Sequence, residues 1–208
     1  MRLRFNHSRL IARYPMNKKL ILGSTSPFRK ALLQRFRIEF TTASPDIDET
    51  PKENESPEDY VARLSLEKAK AVAKNHPNAL IIGSDQCSIL NKQIRGKPGN
   101  HQNAIKQLTE SAGKRVSFLT GLCLYDSAHN DYQLDLIPYH VDFRELTLAE
   151  IESYLRAEEP YACAGSFKSE GLGVTLFKKM QGDDPTALIG LPLIRLSEML
   201  REKGFKLP

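Results

Sequence analysis

Ala79-Leu-Ile-Ile-Gly-Ser-Asp-Gln86 is an apolar run that ends in a carboxylate. Leu80, Ile81 and Ile82 are consecutive and bulky, the pattern of a buried strand bounded by turn residues. The run predicts a strand over Ala79–Gly83 that stops at Ser84-Asp85-Gln86. A carboxylate placed directly after an apolar strand sits where clefts open in α/β sheets. There it can hold a metal or take a proton from water. On this segment alone, an aspartate that merely caps a turn is an equal reading.

The chain before this strand carries the other charged candidates. Ser56-Pro-Glu-Asp59 is a helix start: a capping serine, proline at the first position and acids in the first turn. Val61, Leu64, Ala69 and Val72 trace one apolar face, and His76-Pro-Asn78 stops the helix. Lys68 falls beside that face, where a lysine either snorkels to water or points into a site. The preceding loop, Ser44–Glu55, carries Asp46, Asp48 and Glu49. Hard oxygen ligands so close together suit Mg²⁺ or Mn²⁺, although a solvated acidic loop has the same composition. Ile38–Ala43 reads as a strand. Lys19–Gly23 reads as another, running into Ser24-Thr-Ser-Pro-Phe-Arg29 and a helix to about Phe36. Ser26 caps this helix and Pro27 suits its first position. A strand that feeds a helix start presents free N–H groups and a positive dipole end to an anion. Ser24 adds a hydroxyl, and Arg29 can fork onto a phosphate. No Lys-Ser/Thr pair follows, so this is not a Walker A loop, and a plain capped turn would look alike.

Beyond Gln86, Asn91-Lys92 reads as a hairpin tip and Gly96-Lys-Pro-Gly99 as a stiff loop presenting Lys97. A helix follows over Asn100–Glu110, closed by Gly113. Arg115–Tyr125 and Tyr132–Phe143 read as long strands joined near His129-Asn-Asp131. Thr147 and Glu150 form a capping box for another helix. Tyr161–Gly173, rich in glycine and serine, reads as a loop in which Gly171 and Gly173 relax the backbone. Val174–Phe177 reads as a strand, and Pro192 opens a last amphipathic helix ending at Gly204. Strands mixed with helices at this spacing indicate an α/β protein, and the long consecutive strands indicate a mixed sheet.

Bulk properties bound the function. The 208 residues suffice for one large domain or two lobes around a shared cleft, and 40% apolar with 26% charged residues is ordinary for a globular chain. No apolar run approaches the roughly 18 to 20 residues that span a bilayer, so no membrane partner is expected. The three cysteines, Cys87, Cys123 and Cys163, make no CxxC pair. Reduced thiols in a cytoplasmic protein are the plain reading. The five histidines show no metal-ligand spacing. The net charge of +5 favours anionic partners. No basic stripe with interleaved aromatics accompanies it, so a nucleotide fits better than a stable nucleic-acid complex. Part of the excess lies in Met1–Tyr14, with Arg2, Arg4, Arg9 and Arg13 but no apolar signal region. Residues 1–17 read as a disordered basic tail or as the product of an over-long start; Met16, just ahead of the first strand, favours the second.

The ordered set S-T-S-P-F-R, D-E-T-P, S-L-E-K-A, I-I-G-S-D-Q, G-K-P and T-G-L, spread from Lys19 towards Gly204, resembles the Maf family of nucleoside triphosphate pyrophosphatases. Cys163-Ala-Gly-Ser-Phe-Lys-Ser-Glu170 and Leu188-Ile-Gly-Leu-Pro-Leu193 are similar to its subgroup that hydrolyses 7-methyl-GTP. The resemblance implies one domain over 18–208, with a mixed twisted sheet flanked by helices. It also implies two lobes around a deep cleft, like the inosine triphosphate pyrophosphatases. It implies cleavage between the α and β phosphates with a divalent cation, Mg²⁺ or Mn²⁺. It places the proton acceptor on Asp85 and phosphate or metal contacts on Ser24, Arg29, Glu49, Lys68 and Lys97. Glu49 and Asp85 are the expected metal ligands, and Phe28, Gln86 and Glu170 the specificity positions. Members are often dimers, so a homodimer is allowed. The 7-methyl-GTP subgroup usually carries Trp where this chain has Phe28, which keeps an aromatic face for a cationic ring. Two alternatives stand beside this reading: a pyrophosphatase for dTTP- or UTP-like nucleotides, or a non-catalytic nucleotide- or nucleic-acid-binding regulator of cell division.

Overall fold

The computed structural model describes residues 18–207; the reading of residues 1–17 lies outside them. In chain order the elements are β1 (Lys19–Gly23), α1 (Pro27–Gln34), β2 (Thr41–Ala43), α2 (Pro57–Ala73), β3 (Ala79–Leu90), β4 (Gln93–Arg95) and α3 (His101–Ser111). There follow β5 (Arg115–Asp126), β6 (Asp131–Phe143), α4 (Leu148–Glu158), β7 (Phe177–Gln181), α5 (Pro185–Ile189) and α6 (Leu193–Glu202). Helix starts lie where the capping chemistry puts them. Ser26, Ser56, Asn100 and Thr147 each accept a backbone N–H of the first turn, and Thr147 with Glu150 completes the capping box.

The strands form one mixed sheet in the order β2-β1-β3-β5-β6-β7, with β4 attached to β3. β1 runs parallel to β2 and β3, and the β3–β5, β5–β6 and β6–β7 pairs are antiparallel. This is the expected mixed α/β sheet flanked by helices.

Three expectations change. The strand from Ala79 does not stop at Gly83 but continues through Asp85 and Gln86 to Leu90, held by an unbroken register against β5 from Leu80↔Asp126 to Ile89↔Ser117. Polar residues of low strand propensity are carried by pairing on a neighbouring strand, which local sequence does not report. β2 is only Thr41–Ala43. The strand expected at Val174–Phe177 begins at Phe177, because Leu172–Leu176 winds into a 3₁₀ turn. Pro185–Ile189 adds a short helix in a stretch to which no element was assigned from sequence.

The long strands serve two cores on one face of the sheet. Leu80 and Ile82 of β3 and Leu122 and Leu124 of β5 pack under α1 and α6, with Leu32, Leu33, Leu196 and Leu200. Leu90 of β3, Val116 and Phe118 of β5 and Val141 and Phe143 of β6 pack under α3 and α4, with Leu108 and Leu155. α2 covers the opposite face, where Ile21, Ala69, Val72 and Ile81 meet. The two same-face cores leave a polar gap at mid-strand, and that gap separates the two lobes.

Candidate functional site

The gap has a second feature. β1 pairs with β3 only as far as Ile82, and β4 pairs with it only from Ser88. Among the described residues, Gly83–Cys87 therefore has no strand neighbour on that edge, while β5 pairs along the other. Asp85 and Gln86 sit in this notch. Successive strand residues point to opposite faces, so Asp85 turns to α2 and Gln86 to α5.

On the α2 side, Lys68 Nζ lies 2.5 Å from Asp85 Oδ1 and 2.7 Å from Glu49 Oε1. Lys68 is 4% and Asp85 6% exposed, whereas Glu49 is half exposed at the mouth. The apolar face of α2 brings Lys68 inward, and two glycines let the helix come close enough. A Cβ on Gly83 would meet the Ser65 carbonyl oxygen at 2.1 Å, and one on Gly121 would meet Ser65 Oγ at 2.4 Å. Ser65, fully buried, accepts the Asp85 backbone N–H at 3.0 Å and so fills one hydrogen bond of the open strand edge. The acidic loop is fastened to the same helix. Tyr60 donates to the Glu49 carbonyl at 3.1 Å, and Arg63 donates to the Thr50 carbonyl and forks onto Glu55. Partial burial works to raise the Glu49 carboxyl, but the Lys68 hydrogen bond and the charges of Lys68, Lys97 and Arg29 outweigh it and hold it low. Burial, then the negative charges of Asp85 and Glu49, push the Tyr60 hydroxyl up to about 12.

On the α5 side the organising element is the carbonyl end of that short helix. Arg29 Nε donates to the Gly190 carbonyl at 2.8 Å, and the Ser84 hydroxyl shares its one proton between the Gly121 carbonyl at 2.8 Å and the Gly190 carbonyl at 3.1 Å. Gln86 Nε2 donates to the Ala187 carbonyl at 2.7 Å and Thr120 Oγ1 to it at 2.9 Å. The last carbonyls of a helix lack partners one turn on and are ready acceptors, and the Ala187 carbonyl also takes the Gly190 N–H at 3.0 Å. Asp184, 3% exposed, holds α5 in place by accepting Thr186 N–H, Thr186 Oγ1–H and Ile194 N–H. Burial pulls the Arg29 guanidinium down, only partly opposed by Asp85 and Glu49. A half-buried arginine short of negative charge is prepared for an anion.

Phe28, Arg29, Gln86, Lys97, Cys163 and Glu170 all line one cavity of about 260 Å³ between the lobes. That volume lies just below the usual range for small-molecule pockets, and suits one flat ring better than a whole nucleotide. Ser24, Glu49, Lys68 and Asp85 are not part of its lining. They lie beyond Arg29, whose Nη1 is 3.5 Å from Ser24 Oγ and whose charge couples to Asp85 and Glu49. The nine expected residues thus separate into a ring-sized cavity and a charged cluster joined at Arg29. Lys97 is exposed, on a loop held by Gly99 N–H to the Tyr161 carbonyl and Asn103 to the Pro98 carbonyl.

The far wall is firmer than a turn-rich loop. Phe167, 4% exposed, makes edge contacts with Phe118, Phe143 and Phe177 at ring distances of 5.3, 5.7 and 4.8 Å. Gly173 is needed for close approach, since a Cβ there would lie 2.3 Å from the Lys168 carbonyl oxygen, whereas one at Gly171 would press on the movable Glu158 carboxylate.

Sequence reading missed Tyr60, Ser65, Ser84, Thr120 and Asp184–Ala187, and gave Leu188–Gly190 of the quoted motif no structural role. Thr120 and Gly121 stand in the T-G-L motif without an evident role, and Asp184-Pro-Thr carried a readable helix-start signal. Ser65 and Ser84 carried none. Among the described residues, no three His, Cys, Asp or Glu side chains gather as a metal cage. No described helix is long and apolar enough to cross a membrane.

The open strand edge and its buried charge lie beside the ring-sized cavity, and Arg29 joins the two. The family model described as Maf-like protein matches residues 19–203, and the chain belongs to that family. It is 54% identical over 188 residues to the 7-methyl-GTP pyrophosphatase of Colwellia psychrerythraea, covering 90% of this chain and 94% of that protein. It is 53% identical over 189 residues to the protein of the same name from Pseudomonas savastanoi pv. phaseolicola, covering 91% and 98%. The Ham1 protein of Staphylococcus aureus has a similar fold, with a TM-score of 0.52 over 88% of this chain and 98% of that one, at 12% identity.

Proposed function

We propose that the chain is a pyrophosphatase that hydrolyses 7-methyl-GTP to 7-methyl-GMP and pyrophosphate and so removes modified nucleotides. The observation that carries this reading is the ring-sized cavity of Phe28, Gln86 and Glu170 meeting the charged cluster of Arg29, Glu49, Lys68 and Asp85 at the open edge of β3. The names of the relatives support the same substrate. The base enters the cavity, where Phe28 offers a face to a cationic ring and Glu170 a negative charge. The triphosphate extends past Arg29, with Ser24 and Lys97 as further contacts. Phosphate oxygens give Lys68 a new partner, which frees an Asp85 oxygen to take the proton of the attacking water.

Glu49 and Asp85 would hold a divalent cation, Mg²⁺ or Mn²⁺. Their oxygens are hard ligands and already converge on one positive group, the Lys68 ammonium. Two carboxylates leave the remaining positions to phosphate and water, the usual manner of Mg²⁺. When bound, such a cation supplies charge neutralisation on the phosphates. The free thiols Cys87, Cys123 and Cys163 support a cytoplasmic setting, and a homodimer rests on the family resemblance.

The test is pyrophosphate release from 7-methyl-GTP, GTP, dTTP and UTP, with added Mg²⁺ or Mn²⁺ and after chelation. Metal-dependent release, fastest from 7-methyl-GTP, is expected. Faster release from dTTP or UTP would move the substrate. No release from any nucleotide, with salt-sensitive DNA binding, would favour the regulator.

A further inference from the structure

An amide side chain can read a ligand in two opposite ways: its nitrogen donates two hydrogen bonds and its oxygen accepts. For Gln86 the choice is made by its surroundings. Nε2 lies 2.7 Å from the Ala187 carbonyl, 3.1 Å from the Leu188 carbonyl and 2.9 Å from Thr120 Oγ1. Carbonyls only accept, so a reversed amide would set oxygen against two oxygens. The Thr120 hydroxyl spends its own proton on the Ala187 carbonyl at 2.9 Å, so towards Gln86 it too accepts. Thr120 is 1% exposed, and Asp184 anchors α5, so this acceptor set is rigid. Both Nε2 protons are consumed. Oε1 has no hydrogen-bond partner among the described residues, and Gln86 lines the cavity together with Glu170.

We infer that Thr120 and the carbonyl end of α5 lock the Gln86 amide with Oε1 toward the cavity. The subsite therefore accepts hydrogen bonds and selects a base whose edge donates them. A guanine-type ring does so with adjacent N1–H and 2-amino groups. A thymine or uracil edge flanks one N–H with two oxygens, which face Oε1 and the Glu170 carboxylate unfavourably. Thr120 is a positioning residue: it touches Gln86, not the ligand. The inference rests on the reading that a nucleotide base enters this cavity.

The test compares 7-methyl-GTP with 7-methyl-ITP, which lacks only the 2-amino group, for wild type, Thr120→Val, Thr120→Ser and Gln86→Met. Wild type is expected to favour 7-methyl-GTP through KM. Thr120→Val removes the hydroxyl at nearly constant volume but leaves the two α5 carbonyls, so it should loosen the amide and shrink that preference in part, by roughly two- to fivefold and less than one whole hydrogen bond, through KM more than kcat. Thr120→Ser should keep it. Gln86→Met leaves Thr120 in place and should lose it, which serves as the second arm if Thr120→Val folds poorly. A preference retained in Gln86→Met, or a wild type indifferent to the 2-amino group, overturns the inference. Calorimetry with the α,β-methylene analogues separates it from catalysis. A 2-amino preference in binding without any turnover leaves the inference standing and removes the pyrophosphatase reading. Absence of binding removes both.

Discussion

Lys68 reaches from α2 across to β3 and meets Asp85 at 2.5 Å, with both side chains nearly enclosed. Removing either partner of a buried pair is not symmetrical. Lys68→Met leaves a carboxylate enclosed without its cation and is expected to cost roughly 3 kcal/mol. Asp85→Asn removes the charge at constant volume and leaves Lys68 with Glu49, so its stability loss should be smaller. Its turnover loss should be larger, by ~10²–10⁴, as expected when a general base is removed. Urea unfolding and pyrophosphate release measure the two effects, and near-native turnover in Asp85→Asn would falsify the base role.

Gly121 is a spacing residue for the same pair. A methyl group there would lie 2.4 Å from Ser65 Oγ and 2.5 Å from the Val61 carbonyl, so α2 must retreat. Gly121→Ala is expected to destabilise the fold by about 1–3 kcal/mol and to lower turnover as Lys68 is drawn from Asp85. Gly96→Ala, where a methyl meets nothing within 4 Å, is the control and should leave the melting temperature unchanged. Equal melting temperatures for both variants would contradict the packing argument.

Acid should loosen the loop that carries Glu49. The Arg63 fork, with help from the Lys52 N–H, lowers the Glu55 carboxyl from its ordinary 4.5 to about 2. A depressed carboxylate contributes stability above its unfolded pKa, and the contribution is lost as pH falls through the folded value. The loss therefore falls between about pH 4.5 and 2. Glu49, also held low, adds in the same direction. Urea midpoints measured from pH 5 to pH 2.5 should fall, and Glu55→Gln should flatten part of that slope. An unchanged slope in the variant would remove Glu55 from the account.

Phe28 and Glu170 should govern base preference rather than phosphate handling. Phe28→Trp enlarges the face offered to a cationic ring and is expected to lower KM for 7-methyl-GTP. Phe28→Ala and Glu170→Ala should raise KM for 7-methyl-GTP more than for GTP. Equal losses on all nucleotides would show that these residues support the fold of the cavity instead.

Much of the fold was legible because its signals are local. Ser26, Ser56, Asn100 and Thr147 are chemically suited to end a chain segment and begin a helix, and each does so. The apolar face of α2 placed Lys68 beside a core, and the ordered motifs pointed to the Maf-like family that matches 19–203. The extent of β3 was not legible. Ser84-Asp-Gln86 looks like a turn, and only hydrogen bonds to a strand some forty residues later make it a strand.

The residues of the site were named by sequence, but their grouping was not. Asp85 and Gln86 are neighbours along the chain, so alternation of the pleat alone sends them to opposite faces. Which partner waits on each face depends on α2 and α5, elements separated by more than a hundred residues. Sequence by itself determined the helix starts, the strand-forming runs and the family. Only the tertiary structure decided that β3 has an unpaired edge between β1 and β4, that Lys68 bridges Glu49 and Asp85, and that Gln86 is held by carbonyls of α5. The reason is physical: caps and periodicity are set within one or two turns of chain, whereas an unpaired edge and a shared cation exist only once distant segments have packed.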